Sequence, residues 1–225
     1  MNRVLFLILI GLGGAAILVS LGIWQVQRLT WKQSVIERID DRILAAPVSL
    51  PESYDPDADA YLPVEASGFL AGDTLRVLVS QKNVGAGYRL ITALETDGGR
   101  ILLDRGFVAV DDKGIATPDQ QITVVGNLQW PQEADDFTPE PDLANNIWFA
   151  RDVPAMAAAL DTEPVLVVAR WLSLDDPVVT PLPVDTTRIP NDHLQYAVTW
   201  FSLAAVWLAM SFLFLLRFRG AKTES

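Results

Sequence analysis

Residues 190–200 read Pro190-Asn191-Asp192-His193-Leu194-Gln195-Tyr196-Ala197-Val198-Thr199-Trp200. Here a long polar segment meets an uncharged apolar run that extends to Leu216. A second uncharged apolar run, Val4 to Trp24, lies near the start of the chain. Each run is long enough to cross about 30 Å of hydrocarbon, which takes about 20 helical residues. The sequence therefore predicts two transmembrane helices with the middle of the chain folded between them.

Basic residues at the two ends predict the orientation of the chain. Arg3 precedes the first apolar run, and Arg217, Arg219 and Lys222 follow the second. Because the cytoplasmic flanks of membrane spans are enriched in Lys and Arg, we expect both termini in the cytoplasm. The predicted segments are a cytoplasmic N-terminus at 1–3, transmembrane helix 1 at 4–24, an amphipathic helix at 25–48, a periplasmic β domain with linkers at 49–192, transmembrane helix 2 at 193–216 and a cytoplasmic tail at 217–225.

The first apolar run is expected to be a retained anchor in the inner membrane of a bacterium. It is longer than the core of a usual signal peptide, and Gly22-Ile23-Trp24 is a poor cleavage site. An organellar precursor is disfavoured because no leader rich in Arg and Ser precedes Val4. Membrane lipid is therefore an expected partner.

Charge and cysteine content exclude several kinds of site. The formal net charge is −11, of which Arg3 supplies +1 and the residues after Leu216 supply +2, so the middle of the chain carries −14. Such an acidic domain is not expected to bind nucleic acid. The chain has no cysteine. That excludes disulfides, thiolate metal sites and covalent haem attachment through Cys-x-x-Cys-His.

From residue 61 the pattern indicates a β domain. Asp97-Gly98-Gly99 between two apolar runs is typical of a hairpin. One short helix is predicted at 153–160, with Asp152 as its N-cap. The predicted strands are Tyr61–Leu70, Thr74–Gln81, Tyr88–Thr96, Arg100–Val110, Gln121–Trp130, Asn145–Ala150 and Val165–Leu174. The expected fold class is membrane-anchored α+β, with two transmembrane helices flanking an extracytoplasmic antiparallel β domain that forms a small barrel or a sandwich.

Two of these strands predict the apolar interior of the β domain. The side chains expected to face it are Leu75, Val77, Val79, Val165, Val167, Ala169 and Trp171. A third strand carries Asp104-Arg105-Gly106, for which a structural ion pair is the expected role. An exposed Arg105 that meets a ligand or partner is the alternative.

The middle of the chain offers few groups for catalysis. It lacks cysteine, and the only histidine of the protein, His193, lies at its end. Its acidic pairs fall in predicted turns, where carboxylates are usually solvated: Asp111/Asp112, Asp135/Asp136 and Asp175/Asp176. No phosphate-binding glycine motif or zinc-ligand pattern occurs in the sequence. We therefore expect a protein that is not an enzyme, and an envelope enzyme is a disfavoured alternative.

Small residues of the first apolar run predict close helix packing. Gly11, Gly14 and Ala15 mark one face at three- and four-residue spacing. The expected partner is the second run, which offers Ala197, Ala204 and Ala205. Docking of this face to another membrane protein is the alternative.

His193 is the candidate for imidazole chemistry, and two interpretations remain open. It is expected in the first turn of the second span, at the outer membrane surface, where an interfacial histidine in an aromatic belt is common. Imidazole is also a normal axial ligand of haem iron. In that case the haem propionates would lie near Arg28, Lys32 or Arg105. The helical stripe through His193 contains Tyr196/Ala197, Trp200, Leu203/Ala204 and Trp207, and the facing stripe of the first helix contains Trp24, Arg28 and Trp31/Lys32.

Five stretches, in this order between two spans, resemble the surfeit-locus family of cytochrome c oxidase assembly factors, bacterial type. They are Leu21 to Lys32, Gly87 to Leu94, Leu103 to Val108, Asn146 to Asp152 and Asn191 to Phe201. The resemblance covers nearly the whole chain, and its most specific elements are Trp24-Gln25-x-x-Arg28 and His193-x-x-Tyr196-x-x-x-Trp200. One departure is Ala93, where the family often has proline after threonine.

The resemblance implies a factor that binds haem a transiently and assists its insertion into cytochrome c oxidase subunit I. It implies that His193 is the axial ligand of the haem iron, with Tyr196 and Trp200 packing nearby. Trp24, Gln25 and Arg28 are expected to close the site from the first span. Haem a synthase is a further expected partner. The alternative is a cofactor-free membrane scaffold that stabilises an immature oxidase subunit.

Overall fold

The computed structural model describes residues 3–82, 84–111, 119–174, 176–187 and 189–220. They divide into two compact units, one drawn from 1–38 with 186–225 and the other from 39–185. The elements in chain order are α1 (Arg3–Ile43), β1 (Val48–Ser49), β2 (Pro63–Gln81), β3 (Gly85–Thr96), β4 (Gly99–Ala109), β5 (Gln121–Gln129), β6 (Ile147–Trp148), α2 (Val153–Leu160), β7 (Leu166–Leu172) and α3 (His193–Gly220). Asp112, Asp175 and the tail after Gly220 lie outside the described residues.

Two helices, α1 and α3, are long and apolar enough to cross a membrane. Only a small part of each apolar stretch is buried within the chain, as expected of helices whose side chains face lipid. These two helices indicate a membrane protein. α1 contains the predicted span and most of the predicted amphipathic helix without a break, and it ends ahead of Pro47, which cannot continue a helix.

In the first unit, α1 and α3 pack against each other in antiparallel directions. The closest approaches run in opposite order along the two helices: Gly11 with Ser211, Gly14 with Trp207 and Gly22 with Phe201. Ala15, Ala197 and Ala204 are buried. The predicted packing of the small-residue face on the second span is therefore confirmed, although Ala205, which was also expected there, is exposed.

The second unit is built on one sheet with strand order β1-β2-β3-β4-β7-β5, and β6 also pairs with β2. β2 has 19 residues and forms two antiparallel pairings, with β5 through residues 63–69 and with β3 through residues 69–81. Because β5 pairs with both β7 and β2, the hydrogen-bonded neighbours form a ring, β2-β3-β4-β7-β5 and back to β2.

The expectation of a purely antiparallel sheet is wrong. Three pairings are parallel, namely β1 with β2, β2 with β6 and β4 with β7. Alternating polarity along a strand specifies which face is buried but not the direction of the neighbouring strand. Parallel neighbours require a long crossover connection, and the chain between β4 and β7, which includes α2, supplies one.

Two predicted strands, Tyr61–Leu70 and Thr74–Gln81, form the single strand β2. The expected break at Gly72-Asp73 is a bulge, since the register with β3 shifts between Ala71 and Thr74. Gly72 has a φ of +79°, which glycine adopts without strain. The bulge bends the strand without ending its pairing.

Alternate side chains of the sheet face two apolar layers. On β4, Ile101 and Leu103 join one cluster, whereas Leu102 joins the other. α2 covers the second cluster with four buried side chains, Val153, Met156, Ala157 and Leu160. This helix lies where the sequence predicts it, and the carboxylate of Asp152 accepts a hydrogen bond from the backbone N–H of Ala155 at 3.1 Å.

Two further bulges each place an extra arginine in the sheet. The register of β4 with β3 shifts at Arg105, and the register of β7 with β5 shifts at Arg170. The second shift changes which residues of β7 point inward. Trp171 is 53% exposed, so the prediction that it faces the core with Ala169 is wrong, and Leu172 packs against the first cluster instead.

Buried charge on β4 is paired. Asp104 bonds to Arg89, and the Arg105 guanidinium lies 2.6 Å from the carboxylate of Asp176. Arg105 is 1% exposed, so the predicted structural ion pair is confirmed and the exposed alternative is wrong. Burial raises the pKa of Asp104 although Arg89 opposes this, and burial lowers the pKa of Arg105 although Asp176 opposes it.

Candidate functional site

His193 is the first residue of α3, and its imidazole contacts α1. Its Nδ1 lies 2.8 Å from Oε1 of Gln25. Gln25 is only 8% exposed, whereas His193 is half-buried. A buried polar side chain between two apolar helices needs a partner, because an unpaired amide there carries a large desolvation penalty. The Gln25–His193 pair satisfies that need and fixes the orientation of the imidazole ring.

A seven-residue spacing on α1 places Gln25 on the face that meets α3. Gly11, Leu18, Gln25 and Lys32 follow this spacing, which keeps side chains on one seam of two packed helices. The ammonium group of Lys32 donates a hydrogen bond to the carbonyl oxygen of Pro190. α1 therefore holds the segment around His193 at two points.

The Gln25 contact determines which nitrogen of His193 is available. An amide oxygen can only accept a hydrogen bond, so Nδ1 carries the proton of this pair, and in the neutral ring the lone pair is then on Nε2. Among the described residues, no hydrogen bond to Nε2 is formed. Metal-ligating histidines usually donate their other ring N–H to an acceptor in this way, which sets the tautomer and the ring orientation. The arrangement suits a single imidazole ligand.

Of the other predicted site residues, only Gln25 forms a described hydrogen bond with His193. Trp24 is 54% exposed and Tyr196 is 55% exposed, whereas Trp200 is half-buried. The guanidinium of Arg28 lies 4.0 Å from the ring centroid of Trp31, so it stacks on its own helix. No described hydrogen bond or ring contact joins any of these four predicted site residues to the imidazole.

Sequence reasoning missed two contacts of the site, Lys32 with the Pro190 carbonyl and the direct bond between Gln25 and His193. The seven-residue spacing from Gly11 could have predicted them, because Gln25 and Lys32 follow this spacing and Trp24 does not. A further polar group lies nearby in sequence. Oδ1 of Asn191 is buried and has no hydrogen-bond partner among the described residues.

The acidic pair in the β domain that the structure describes completely lies in a turn, as predicted. Asp135 accepts hydrogen bonds from the backbone N–H of Phe137 and the hydroxyl of Thr138, at 2.9 and 3.0 Å. The Phe137 bond and the Thr138 bond together lower the pKa of Asp135. Asp136 is exposed. This geometry is that of a solvated turn carboxylate.

Comparison with known proteins agrees with the resemblance seen in the sequence motifs. The profile of the SURF1 family matches residues 12–205. Surfeit locus protein 1 of Homo sapiens is 31% identical, over 88% of this chain and 73% of the human protein. Surfeit locus protein 1 of Xenopus tropicalis is 32% identical, over 83% of this chain and 68% of the frog protein. A SURF1-like protein of Rickettsia bellii is 28% identical, over 84% of this chain and 82% of the bacterial protein. With matches that span most of its length, the chain belongs to the SURF1 family.

Proposed function

We propose that this protein is a cytochrome c oxidase assembly factor that binds haem a and assists its insertion into subunit I. The observation that carries the proposal is the Gln25–His193 pair, which directs one proton to Nδ1 and leaves Nε2 without a hydrogen bond to any described residue, so that it can ligate a metal. His193 would hold haem a through its imidazole, and the haem would supply an iron centre that binds an imidazole nitrogen. A carrier needs reversible affinity, and one histidine ligand suits that better than two.

The surrounding residues have supporting roles in this proposal. Tyr196, in the first turn of α3, and Trp24, next to Gln25 in the middle of α1, present exposed aromatic surface on which a flat macrocycle can pack. The proposed role of Trp200, one helical turn after Tyr196, is to pack near the ligand, and that of Arg28, three residues after Gln25, is to supply a cation for carboxylate groups of the ligand. The proposed role of this unit is binding and release, without catalysis.

The proposed location is a bacterial inner membrane, with both termini in the cytoplasm. The basic flanks Arg3 and Arg217 support this orientation. The β domain is then extracytoplasmic, and the ring of strand pairings favours a small closed barrel over a sandwich. Subunit I and haem a synthase are the proposed partners, since one receives the cofactor and the other makes it.

Absorption spectroscopy of the full chain, purified after expression with haem a synthesis, tests the proposal. The wild type is expected to show a Soret band, and His193→Ala is expected to lose it. Gln25→Ala should keep the ligand but weaken haem affinity by roughly 10–100-fold, as loss of a partner behind a metal ligand does. The matched control is Gln27→Ala, an exposed amide two positions away, which should behave as wild type.

Two results would contradict this assignment. One is a His193→Ala protein that keeps full haem and supports oxidase maturation. The other is a wild-type protein without a Soret band that still supports maturation, which would favour the cofactor-free scaffold. Equal haem affinity of Gln25→Ala and Gln27→Ala would remove the proposed role of the Gln25 contact.

A further inference from the structure

A cleft of about 170 Å³ lies in the β-sheet unit, where β4 and β7 meet the segment that follows β7. Its polar lining is Arg105, Arg170 and Asp176. Its apolar lining includes Trp171 and Leu174. The cleft belongs to the second unit and contains no residue of the His193 site, so it does not depend on the proposed function.

Both arginines of the cleft are extra residues of β-bulges. Arg105 occupies the bulge of β4, and Arg170 occupies the bulge of β7. These two strands are neighbours in the sheet. A bulge redirects a side chain from the regular alternation of a strand and often does so beside a functional site. Two adjacent strands therefore direct their irregular residues into one small cleft.

The two guanidinium groups have different electrostatic roles. Arg105 is buried and bonds to Asp176 at 2.6 Å, so these two charges compensate each other. Arg170 donates one hydrogen bond, from Nη1 to the carbonyl oxygen of Ile43 at 3.1 Å. Among the described residues it forms no salt bridge. The described lining thus has an excess positive charge within a domain whose sequence is strongly acidic.

The walls of the cleft are fixed by backbone contacts. Thr180 and Phe107 exchange two hydrogen bonds of 2.9 and 2.7 Å, which hold the segment after β7 against β4. The carboxylate of Asp176 also accepts hydrogen bonds from the backbone N–H groups of Val178 and Val179. The cleft is therefore preorganised, and a ligand would not have to order this segment.

We propose that this cleft binds a small anion with an apolar body, of the carboxylate class. Arg170 offers planar N–H donors that match a carboxylate, and no protein carboxylate among the described residues occupies them. Trp171, 53% exposed, and Leu174 supply an apolar surface for the body of the ligand. Since a phosphate group offers the same anionic chemistry to a guanidinium, the test separates the two sources.

The test is ¹⁹F NMR of the full chain in lipid nanodiscs, labelled with fluorotryptophan. The Trp171 resonance is assigned through Trp171→Phe. Sodium butyrate is expected to shift this resonance saturably. Butyramide has the same shape but no charge, and its affinity should be lower by about tenfold or more. Arg170→Gln should weaken butyrate binding by about tenfold or more. The control is Arg100→Gln. Arg100 also lies on β4, but it pairs with Glu95 and Asp161 outside the cleft.

The outcomes decide between the alternatives. If inorganic phosphate displaces butyrate with higher affinity, the anion site stands and its natural ligand carries a phosphate. Equal binding of butyrate and butyramide, or no shift with either butyrate or phosphate, would overturn the site. The comparison of butyrate with butyramide uses the wild-type protein, so it remains decisive if Arg170→Gln does not fold.

Discussion

Replacement of Gly14 by alanine tests the packing of the two membrane helices. A Cβ at Gly14 would lie 2.5 Å from Nε1 of Trp207. That indole N–H also donates a hydrogen bond to the carbonyl oxygen of Gly11 at 3.0 Å. The methyl group must therefore displace the indole and break this bond. An interhelical hydrogen bond in a membrane contributes about 0.6 kcal/mol and up to about 1.7 kcal/mol. Overpacking of a tight contact costs about 1–3 kcal/mol. We expect Gly14→Ala to destabilise the helix pair by about 2–4 kcal/mol.

The assay can use site-specific labels, because the chain has no cysteine. Cysteines introduced at the exposed positions Gln27 and Gln195, one on each helix, carry a fluorophore pair. Energy transfer between them reports separation of α1 from α3 as SDS is titrated into mixed micelles. The control is Gly13→Ala, since a Cβ at Gly13 meets no atom within 4 Å. The stability of the control is expected to stay within about 0.5 kcal/mol of wild type.

A double-mutant cycle identifies the cause of the effect. Trp207→Leu removes the indole that blocks the new methyl group, so Gly14→Ala should cost much less in that background. Equal stability of Gly14→Ala and Gly13→Ala would refute the proposed clash. Simple addition of the costs of Gly14→Ala and Trp207→Leu would also refute it, because then the clash with Trp207 is not the source of the lost stability.

Two further predictions concern the β-sheet unit and can be measured by chemical denaturation of the full chain. Gly106 has a φ of +129°, and a Cβ there would overlap the backbone carbonyl of Thr180, so Gly106→Ala should cost about 2 kcal/mol or more. Gly98 lies in an open turn, so the stability of Gly98→Ala should stay within about 0.5 kcal/mol of wild type. Equal losses of stability for Gly106→Ala and Gly98→Ala would contradict the role of the Thr180 carbonyl. Partial burial acts to raise the pKa of Glu133, but its hydrogen bonds to Arg151 and the charge of Arg151 outweigh this and lower the pKa. The stability that this pair contributes is therefore present at pH values above the pKa of Glu133 in the unfolded chain. It is lost as the pH falls through the pKa of Glu133 in the folded protein. Because the Glu133 side chain is 42% exposed, Glu133→Gln should remove only about 0.5 kcal/mol of this acid dependence, and an unchanged pH profile would contradict the role of the pair.

Much of the local structure follows from short stretches of sequence. The two apolar runs predict the membrane helices, because about 20 uncharged apolar residues suffice to cross a bilayer. Asp97-Gly98 forms the tight connection between β3 and β4, and Asp152 caps α2. Each of these signals depends on residues within a few positions of one another. Backbone hydrogen bonding and turn geometry act over the same short range.

Sequence reasoning failed where the outcome depended on distant partners. The parallel pairing of β4 with β7 is set by the crossover, and no pattern within either strand specifies it. Trp171 follows the inward alternation of its strand in sequence, yet one extra residue at Arg170 turns it outward. A one-residue shift reverses the face of every later side chain, so bulges defeat alternation arguments.

For the candidate site, the sequence determined which residue types are present and predicted that they lie at the same membrane surface. It singled out His193 as the only imidazole and placed Gln25, Trp24 and Arg28 near the same membrane surface. The tertiary structure decided that Gln25 forms the described hydrogen bond with the imidazole, whereas Trp24 is exposed and Arg28 stacks on Trp31. The physical reason is the helix seam: packing of Gly14 against Trp207 fixes the rotation of α1, and rotation determines which of several neighbouring side chains faces α3. Spacing along a sequence can offer such faces, but only contact between the two helices selects one.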